Sequence, residues 1–310
     1  LSAEASEVFE EGLRLPIMKL FTGGIPNENL LQIVRANVRQ PDEVVGDLYA
    51  QTACNDVGGR ALLKMMEEFK LDTLDSVAKE IINRSETAVR AHIQKLPDGK
   101  YESETWSDGF EEPIIIRCSV RIVDDEIEID FSGSSPESTR GINVVLNYTH
   151  AYASFAVKAA IYPNVPHNEG SFRPVRVSAP AGSILNALDP APVASRQAVG
   201  HFVPSAIFSA LANTLPDQLM APSADPIWLS VWRGSKPSFI QTIFQVGGTG
   251  ARPAKDGLNA IGFPSGVAGV PAEIIESVSP LVMQKRQLRP NSGGPGTWRG
   301  GLGQLTQFTN

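Results

Sequence analysis

The sequence predicts an α+β fold in which a helical N-terminal region packs against a β-rich mixed core. Two patterns support this prediction. Residues 1–100 repeat their apolar side chains at helical spacing, whereas residues 101–310 contain short alternating segments separated by glycine and proline. We therefore expect a mainly helical region over 1–100 and a β-rich mixed α/β region over 101–310.

The first two helical segments are bounded by capping and helix-breaking residues. Asn27 is a suitable N-cap for the first helix, and Pro41 is expected to stop it. The second segment begins near Asp42. We expect Gly58-Gly59 to interrupt it before Ala61–Phe69, because glycine is a poor helix former.

A third helix and a hairpin follow. The helix begins after Asp72 or Asp75 and ends before the turn Leu96–Gly99. Past that turn the apolar period becomes two, and residues 114–123 and 126–131 are expected to pair as a hairpin. Further strands are predicted at 175–177, 227–232 and 239–246, and further helices at 143–161 and 203–215.

Composition excludes several classes of protein. The 310 residues are 42% hydrophobic and 20% charged, as in globular proteins, and the net charge of −7 disfavours nucleic acid or an anionic membrane as a partner. The longest uncharged run, 197–216, contains Pro204 and is no membrane span. Cys54 and Cys118 are expected to be buried free thiols of a cytoplasmic protein. Because the chain begins with Leu1, we expect a fragment of a longer protein.

Common catalytic signatures are absent from the sequence. It contains no GxxxxGK[ST] motif, which excludes a P-loop nucleotide-binding subunit, and neither a GxSxG elbow nor an HExxH pair. The four histidines are scattered without the spacing of metal ligands. Any chemistry must therefore come from less familiar motifs.

Two polar segments are candidates for ligand binding. Asp130–Ser135 places a carboxylate, hydroxyls and a glycine at a strand end, where they can bind a substrate or close the strand as an Asx or Ser turn. Asn168–Gly170 precedes Arg173, whose guanidinium suits carboxylate or phosphate recognition but is also common on surfaces. Both interpretations of each segment stay open.

Glycine marks two further segments. Gly247–Arg252 follows a predicted strand and is either an anion-binding loop with exposed backbone N–H groups or a tight loop. Arg289–Gly303 contains six glycines, two arginines and Trp298, and we expect an ordered loop shaped by glycine. Near the N-terminus, Glu10 and Glu11 supply two carboxylates, which are too few for a metal site without other ligands.

Taken in order, these motifs resemble the hydantoinase B/oxoprolinase family. The resemblance covers almost the whole chain and rests on Glu11–Pro16, Asn37–Arg39, Gly46–Gln51, Leu96–Gly99, Ile129–Pro136, Asn168–Gly170 with Arg173-Pro174, Ala179–Ser183, Gly247–Arg252 and Ser292–Gly303. Each motif is weak alone, and the ordered series is specific.

The resemblance implies a B-type subunit that acts with an ATP-binding A-type subunit. Such pairs open cyclic amides, namely hydantoin, N-methylhydantoin or 5-oxoproline, and related subunits serve in acetone and acetophenone carboxylases. A third interpretation is a non-catalytic scaffold for the A-type subunit. ATP is expected on the partner subunit, so this chain would be the metal-bearing, substrate-handling half.

The resemblance also implies a divalent metal, zinc or manganese, held mostly by residues upstream of Leu1. One further ligand falls at Glu10 or Glu11, although relatives can carry histidine where this chain has Glu10. From residue chemistry within the family motifs, we predict catalytic roles for Asp130 and Ser132, and substrate-binding roles for Arg173, Arg252 and Arg299.

Overall fold

The computed structural model describes residues 3–110, 112–267 and 269–309. The chain forms two compact units: one comprises Leu1–Glu11 and Ile82–Asn310, and the other comprises Gly12–Ile81. The division expected near residue 100 rests on the change in apolar periodicity and stays a prediction.

The unit Gly12–Ile81 is mainly helical. A short ribbon of β1 (Phe21–Thr22) and β2 (Ile25–Pro26) precedes helix α1 (Glu28–Asn37) and helix α2 (Pro41–Glu68). The predicted cap of α1 is confirmed, because Asn27 Oδ1 accepts a hydrogen bond of 3.2 Å from Leu30 N. A small core between α1 and α2 contains Leu30, Leu31, Val34 and Val45.

The predicted interruption of α2 at Gly58-Gly59 is wrong. Helix α2 runs without a break from Pro41 to Glu68. Two interior glycines cost about 2 kcal/mol relative to alanine, and the run of good helix formers that follows them, residues 60–68, helps to offset that cost. Pro41 lies in the first turn of α2. The N–H groups of that turn have no acceptor within the helix, so proline, which lacks an N–H, costs no helical hydrogen bond there.

The larger unit is built around a mixed four-stranded sheet. Helix α3 (Asp75–Ile93) leads into β3 (Gly99–Ser107), β4 (Ile114–Val123), β5 (Glu126–Asp130) and, later in the chain, β6 (Val175–Ser178). The strand order is β3-β4-β5-β6; the first three strands are antiparallel and β6 is parallel to β5. The predicted hairpin β4–β5 is confirmed. Strand β3 was not predicted, because its charged residues obscure the alternation of half-buried and exposed positions.

One face of this sheet is the core of the unit. Strand β4 alternates strictly, so that Ile116, Cys118, Val120 and Ile122 are buried. Helix α4 (Leu146–Ile161), short helices α5 (Glu169–Phe172) and α6 (Gln197–Gly200), and helix α7 (Phe202–Leu211) follow, and α4 and α7 pack against the sheet. This arrangement of helices and a mixed sheet confirms the α+β prediction.

Two hairpin-like ribbons complete the chain. Strand β7 (Trp228–Ser235) pairs with β8 (Ser238–Gln245), helix α8 (Ala272–Val278) follows, and β9 (Val282–Leu288) pairs with β10 (Gln304–Thr309). Both cysteines are free, but only Cys118 is buried; Cys54 is exposed on α2, so its predicted burial is wrong. Within the described residues, no helix combines the length and apolarity that crossing a membrane requires.

Candidate functional site

The two glycine-rich loops, far apart in sequence, meet in the structure. Backbone hydrogen bonds join Gly301 N to Thr249 O (2.8 Å) and Thr249 N to Leu258 O (3.0 Å). Gly257 N donates to Arg299 O at 2.7 Å, which adds the segment 256–260 to the same network. The chain segments lie so close that only glycine fits at several positions: a Cβ on Gly248 would lie 2.0 Å from Gly301 O.

These loops form one wall of a cavity of about 820 Å³. The side chains of Arg289, Trp298 and Asp225 line it together with glycine backbone. Trp298 is 46% exposed, and Arg289 makes no side-chain hydrogen bond or ion pair with any residue that the structure describes. A concave space with one guanidinium, one aspartate and two tryptophan side chains, Trp228 and Trp298, suits a small polar molecule. We take it as the candidate site.

Arg252 and Arg299, both predicted to bind substrate, lie beside this cavity rather than in its described lining. The Arg252 guanidinium donates to Asp256 O at 2.9 and 3.2 Å. Arg299 N donates to Asp256 Oδ1 at 2.7 Å, and its guanidinium Nε lies 3.9 Å from Asp256 Oδ2. Both arginines therefore brace the loops through Asp256. Their predicted contact with substrate stays a prediction.

Asp130 and Ser132, the predicted catalytic pair, lie at the end of β5. Asp130 Oδ1 accepts hydrogen bonds from Ser132 N (3.2 Å), Ser132 Oγ (2.9 Å) and Ser178 Oγ (3.0 Å). The neighbouring hydroxyl of Ser135 accepts from Ile115 N at 2.9 Å. The segment thus forms the Asx turn that was one of its two interpretations. The catalytic role of Asp130 and Ser132 stays a prediction.

Arg173 is held by two carboxylates. Its guanidinium contacts Glu169 at 2.8 Å and Glu86 at 3.1 Å. Hydrogen bonds from Arg173 and Arg90 hold the pKa of the Glu86 carboxyl below its ordinary value. A carboxylate ligand at Arg173 would have to compete with both glutamates, and substrate binding there stays a prediction.

The two glutamates predicted as metal ligands bind other groups. Glu11 Oε1 accepts from the backbone N–H groups of Val193 and Ala194, the latter at 2.7 Å. Glu10 accepts from Ser6 N at 2.7 Å and Ser6 Oγ at 3.2 Å. Across residues 3–110, 112–267 and 269–309, no group of three or more His, Cys, Asp or Glu side chains is placed to hold a metal ion. These residues do not fit a metal site by themselves.

Sequence reasoning missed Asp225, which lines the cavity. Ser205 Oγ donates to Asp225 Oδ2 at 2.5 Å, and Asp225 Oδ1 is shielded from solvent without a hydrogen-bond partner among the described residues. Burial raises the pKa of Asp225 to about 6, against the opposing effect of the Ser205 hydrogen bond. No local motif marks this aspartate, because its environment comes from α7 and the glycine loops.

His201 and Ser265 were also missed, and their geometry excludes a nucleophile–base pair. His201 Nε2 lies 3.3 Å from Ser265 Oγ, but Ile227 N–H donates to His201 Nδ1 at 3.4 Å. Burial lowers the pKa of His201 to about 4, so the ring is neutral and carries its proton on Nε2. It donates to the serine instead of accepting from it. The Ser265 hydroxyl also forms a hydrogen bond of 3.0 Å with the Tyr152 hydroxyl. These contacts indicate that His201 and Ser265 have a structural role.

Known proteins resemble this chain in sequence and in structure. The hydantoinase B/oxoprolinase family model matches residues 1–310. The chain is 31% identical to the B-type subunit of a putative D-/L-hydantoinase from Pseudomonas sp. (strain NS671), over 99% of this chain and 54% of that protein. It is 24% identical to the acetophenone carboxylase delta subunit of Aromatoleum aromaticum, over 98% of this chain and 47% of that protein.

A solved structure agrees with these sequence matches. The crystal structure of the ATP-dependent caprolactamase from Pseudomonas jessenii superimposes with a TM-score of 0.88 at 27% identity, covering 98% of this chain and 55% of that one. The chain spans about half the length of the curated relatives named here. Because the family model matches every residue and the fold agrees, this chain belongs to the hydantoinase B/oxoprolinase family.

Proposed function

We propose that this chain is part of the B-type subunit of an ATP-dependent cyclic-amide hydrolase. The observation that carries the proposal is the match of the whole chain to the family, joined to a fold shared with an ATP-dependent caprolactamase. The substrates proposed are hydantoin, N-methylhydantoin or 5-oxoproline. The partner proposed is an A-type subunit that binds ATP, since this sequence contains no P-loop motif.

The residues of this chain supply a place to bind and orient the ring. Glycine backbone forms a rigid wall, Trp298 offers an aromatic surface, and Arg289 offers an unpaired guanidinium to an anionic group. ATP on the partner would supply a phosphoryl group that activates the amide toward water. The zinc or manganese ion implied by the family resemblance stays a prediction, because Glu10 and Glu11 alone do not hold it.

Co-expression of the full-length subunit with an A-type partner tests the proposal. We expect ATP-dependent opening of 5-oxoproline or hydantoin, measured as release of the ring-opened product together with ADP. The same complex without ATP is the control. Failure to open any cyclic amide, with the complex assembled and ATP present, would contradict a hydrolase.

A carboxylase is the second candidate, and the acetophenone carboxylase relative favours it. In that case the activated species would be carboxylated rather than hydrolysed. Bicarbonate-dependent consumption of acetone or acetophenone, measured in the same assembled complex, separates the two reactions.

Substitution of Arg289 distinguishes both enzymes from a scaffold. Because this guanidinium lines the cavity and has no partner among the described residues, we expect Arg289→Met to lower kcat/KM for an anionic substrate about 10- to 100-fold. That loss corresponds to one charge-assisted hydrogen bond of about 1.5–3 kcal/mol. Thermal melting should stay unchanged.

Arg233→Met is the matched control, because Arg233 is an exposed arginine of β7 outside the described cavity lining. Its kcat/KM should equal that of the wild type. Unchanged turnover for Arg289→Met, and likewise for variants of Asp130, Arg173 and Arg299, would support a scaffold that only holds the A-type subunit.

A further inference from the structure

One face of helix α2 is apolar and exposed in the part of the chain that the structure describes. We propose that this face is a docking surface for an apolar segment of the full-length B-type subunit that lies outside residues 1–310. The inference rests on the proposed function only in treating the chain as part of such a subunit. It concerns the assembly of the subunit and not its reaction.

An apolar stripe runs along the C-terminal half of α2. Side chains at positions i, i+4, i+7, i+8, i+11 and i+15 of an α-helix share one face about 100° wide. The stripe with this spacing contains no charged or polar side chain and consists of Cys54, Gly58, Ala61, Leu62, Met65 and Phe69. All six residues are exposed, and the exposed fraction reaches 66% at Phe69. A face of this width and composition is normally packed against another element.

The other faces of α2 already have their surroundings. Val45 is buried and Leu48 is half-buried in the small core shared with α1, on a face next to the stripe. Asp56, Arg60 and Lys64 form a charged face, on which Arg60 Nη2 lies 2.9 Å from Asp56 Oδ2. A surface helix needs one apolar face for its core and one polar face for water. A second apolar face therefore indicates a second packing partner.

Gly58, in the middle of the stripe, indicates a close approach by that partner. Glycine is a poorer helix former than alanine, so a glycine inside a helix needs a reason. An added Cβ on Gly58 would meet no described atom within 4 Å, so no described contact requires glycine there. The small side chains of Cys54, Gly58 and Ala61 would let a second backbone come close to α2.

The exposed area of the chain decides which partner covers the stripe. The accessible surface is 18197 Å². Two self-contained globular proteins with the sizes of the two units would together expose about 14,700 Å², which leaves an excess of about 3,500 Å². Even a large obligate interface covers only about 1,000–2,500 Å² of each partner. The excess is more than one contact with a second subunit would cover. Relatives of about twice this length have enough further chain to cover it, so we assign the stripe to the same subunit.

Site-specific photocrosslinking in the full-length subunit identifies the partner directly. The probe is p-benzoylphenylalanine in place of Leu62, irradiated in the subunit alone and again with the A-type subunit added. We expect a crosslink within one polypeptide, mapped by mass spectrometry to a peptide outside residues 1–310, before the A-type subunit is present. The same probe in place of Lys64, on the charged face, is the control and should give no protein crosslink.

Thiol labelling measures the cover of the stripe independently. Cys54 lies in the stripe, whereas Cys118 is buried in the sheet and serves as an internal reference. In the native full-length subunit without a partner, we expect Cys54 to react with a maleimide at least about 100-fold more slowly than the new thiol of a Lys64→Cys variant. The protection should not change when the subunit is diluted.

The two glycines of α2 provide a matched pair of variants. Gly59 lies outside the stripe, and an added Cβ there also meets no described atom within 4 Å. Gly59→Ala should raise the midpoint of thermal unfolding of the full-length subunit, because alanine is the better helix former. Gly58→Ala should lower it, because the Cβ would enter the contact with the docked segment.

The outcomes separate this inference from the proposed function. A crosslink to the A-type subunit, to a second copy seen at doubled mass, or to a peptide within residues 1–310 would overturn the assignment. Fast labelling of Cys54 in the subunit alone, or a raised unfolding midpoint for Gly58→Ala, would also overturn it. The expected crosslink in a complex that opens no cyclic amide would uphold the docking surface and reject the hydrolase.

Discussion

Replacing Gly301 with alanine is expected to destabilise the full-length subunit by about 3 kcal/mol or more and to abolish binding in the cavity. A Cβ at this position would lie 2.0 Å from Leu258 O and 3.1 Å from Thr249 N. Both contacts are with backbone, and the same segments are joined by hydrogen bonds from Gly301 to Thr249 and from Thr249 to Leu258. The neighbours cannot move away without breaking the network that forms the wall.

Gly294→Ala is the matched control for this prediction. Gly294 belongs to the same loop and lines the same cavity, but an added Cβ would meet no atom within 4 Å. Urea denaturation should show a change of less than about 1 kcal/mol for Gly294→Ala. Equal stability of the two variants would show that the close approach of these loops does not need glycine.

Asn143→Asp is expected to destabilise the protein at least as much as Gly301→Ala. The cause is lost hydrogen bonding rather than a steric clash. Asn143 is fully buried; its Oδ1 accepts from Ser138 N at 2.7 Å, and its Nδ2 lies within 3.0 Å of the carbonyl oxygens of Ser138, Arg140 and Pro192. Aspartate would place one acceptor oxygen where Nδ2 now donates to those three carbonyls. We expect a loss of about 3–5 kcal/mol at neutral pH, because a buried, charged oxygen would face three carbonyl oxygens with no donor between them.

The pH dependence of this variant distinguishes the cause. Protonation restores one donor, so the new aspartate has a raised pKa in the folded state, and the stability of the variant should improve as the pH falls from 7 to 4.5. Asn259→Asp is the control, because Asn259 Oδ1 accepts from Leu302 N at 2.8 Å and aspartate keeps that acceptor. Urea denaturation at both pH values measures the effect. A stable Asn143→Asp variant at pH 7 would contradict the prediction.

Patterns of neighbouring residues predicted those helices and strands that nearby side chains are sufficient to specify. The cap at Asn27, the third helix and the alternating hairpin β4–β5 all follow from side chains within a few residues of one another. The prediction failed at Gly58-Gly59, where the flanking residues sustain α2, and at β3, whose strand conformation depends on pairing with β4.

The candidate site was less predictable than the fold. Arg252 and Arg299 were chosen for the chemistry of guanidinium groups, and both brace the loops through Asp256. Asp225 carries no motif, and burial raises its pKa although the hydrogen bond from Ser205 opposes the change. A carboxyl group of this kind is recognised only when the distant segments around it are in place.

The sequence by itself determined the family, the α+β class and the presence of a glycine-shaped loop at Arg289–Gly303, because composition, periodicity and the order of motifs are all properties of the linear chain. Only the tertiary structure decided what that loop contacts. It brings the loop against Gly247–Ala251 and residues 256–260, and it places Arg289 and Asp225 in the lining of one cavity. The physical reason is that burial, close backbone approach and pairing of charges depend on residues tens of positions apart, which no local pattern specifies.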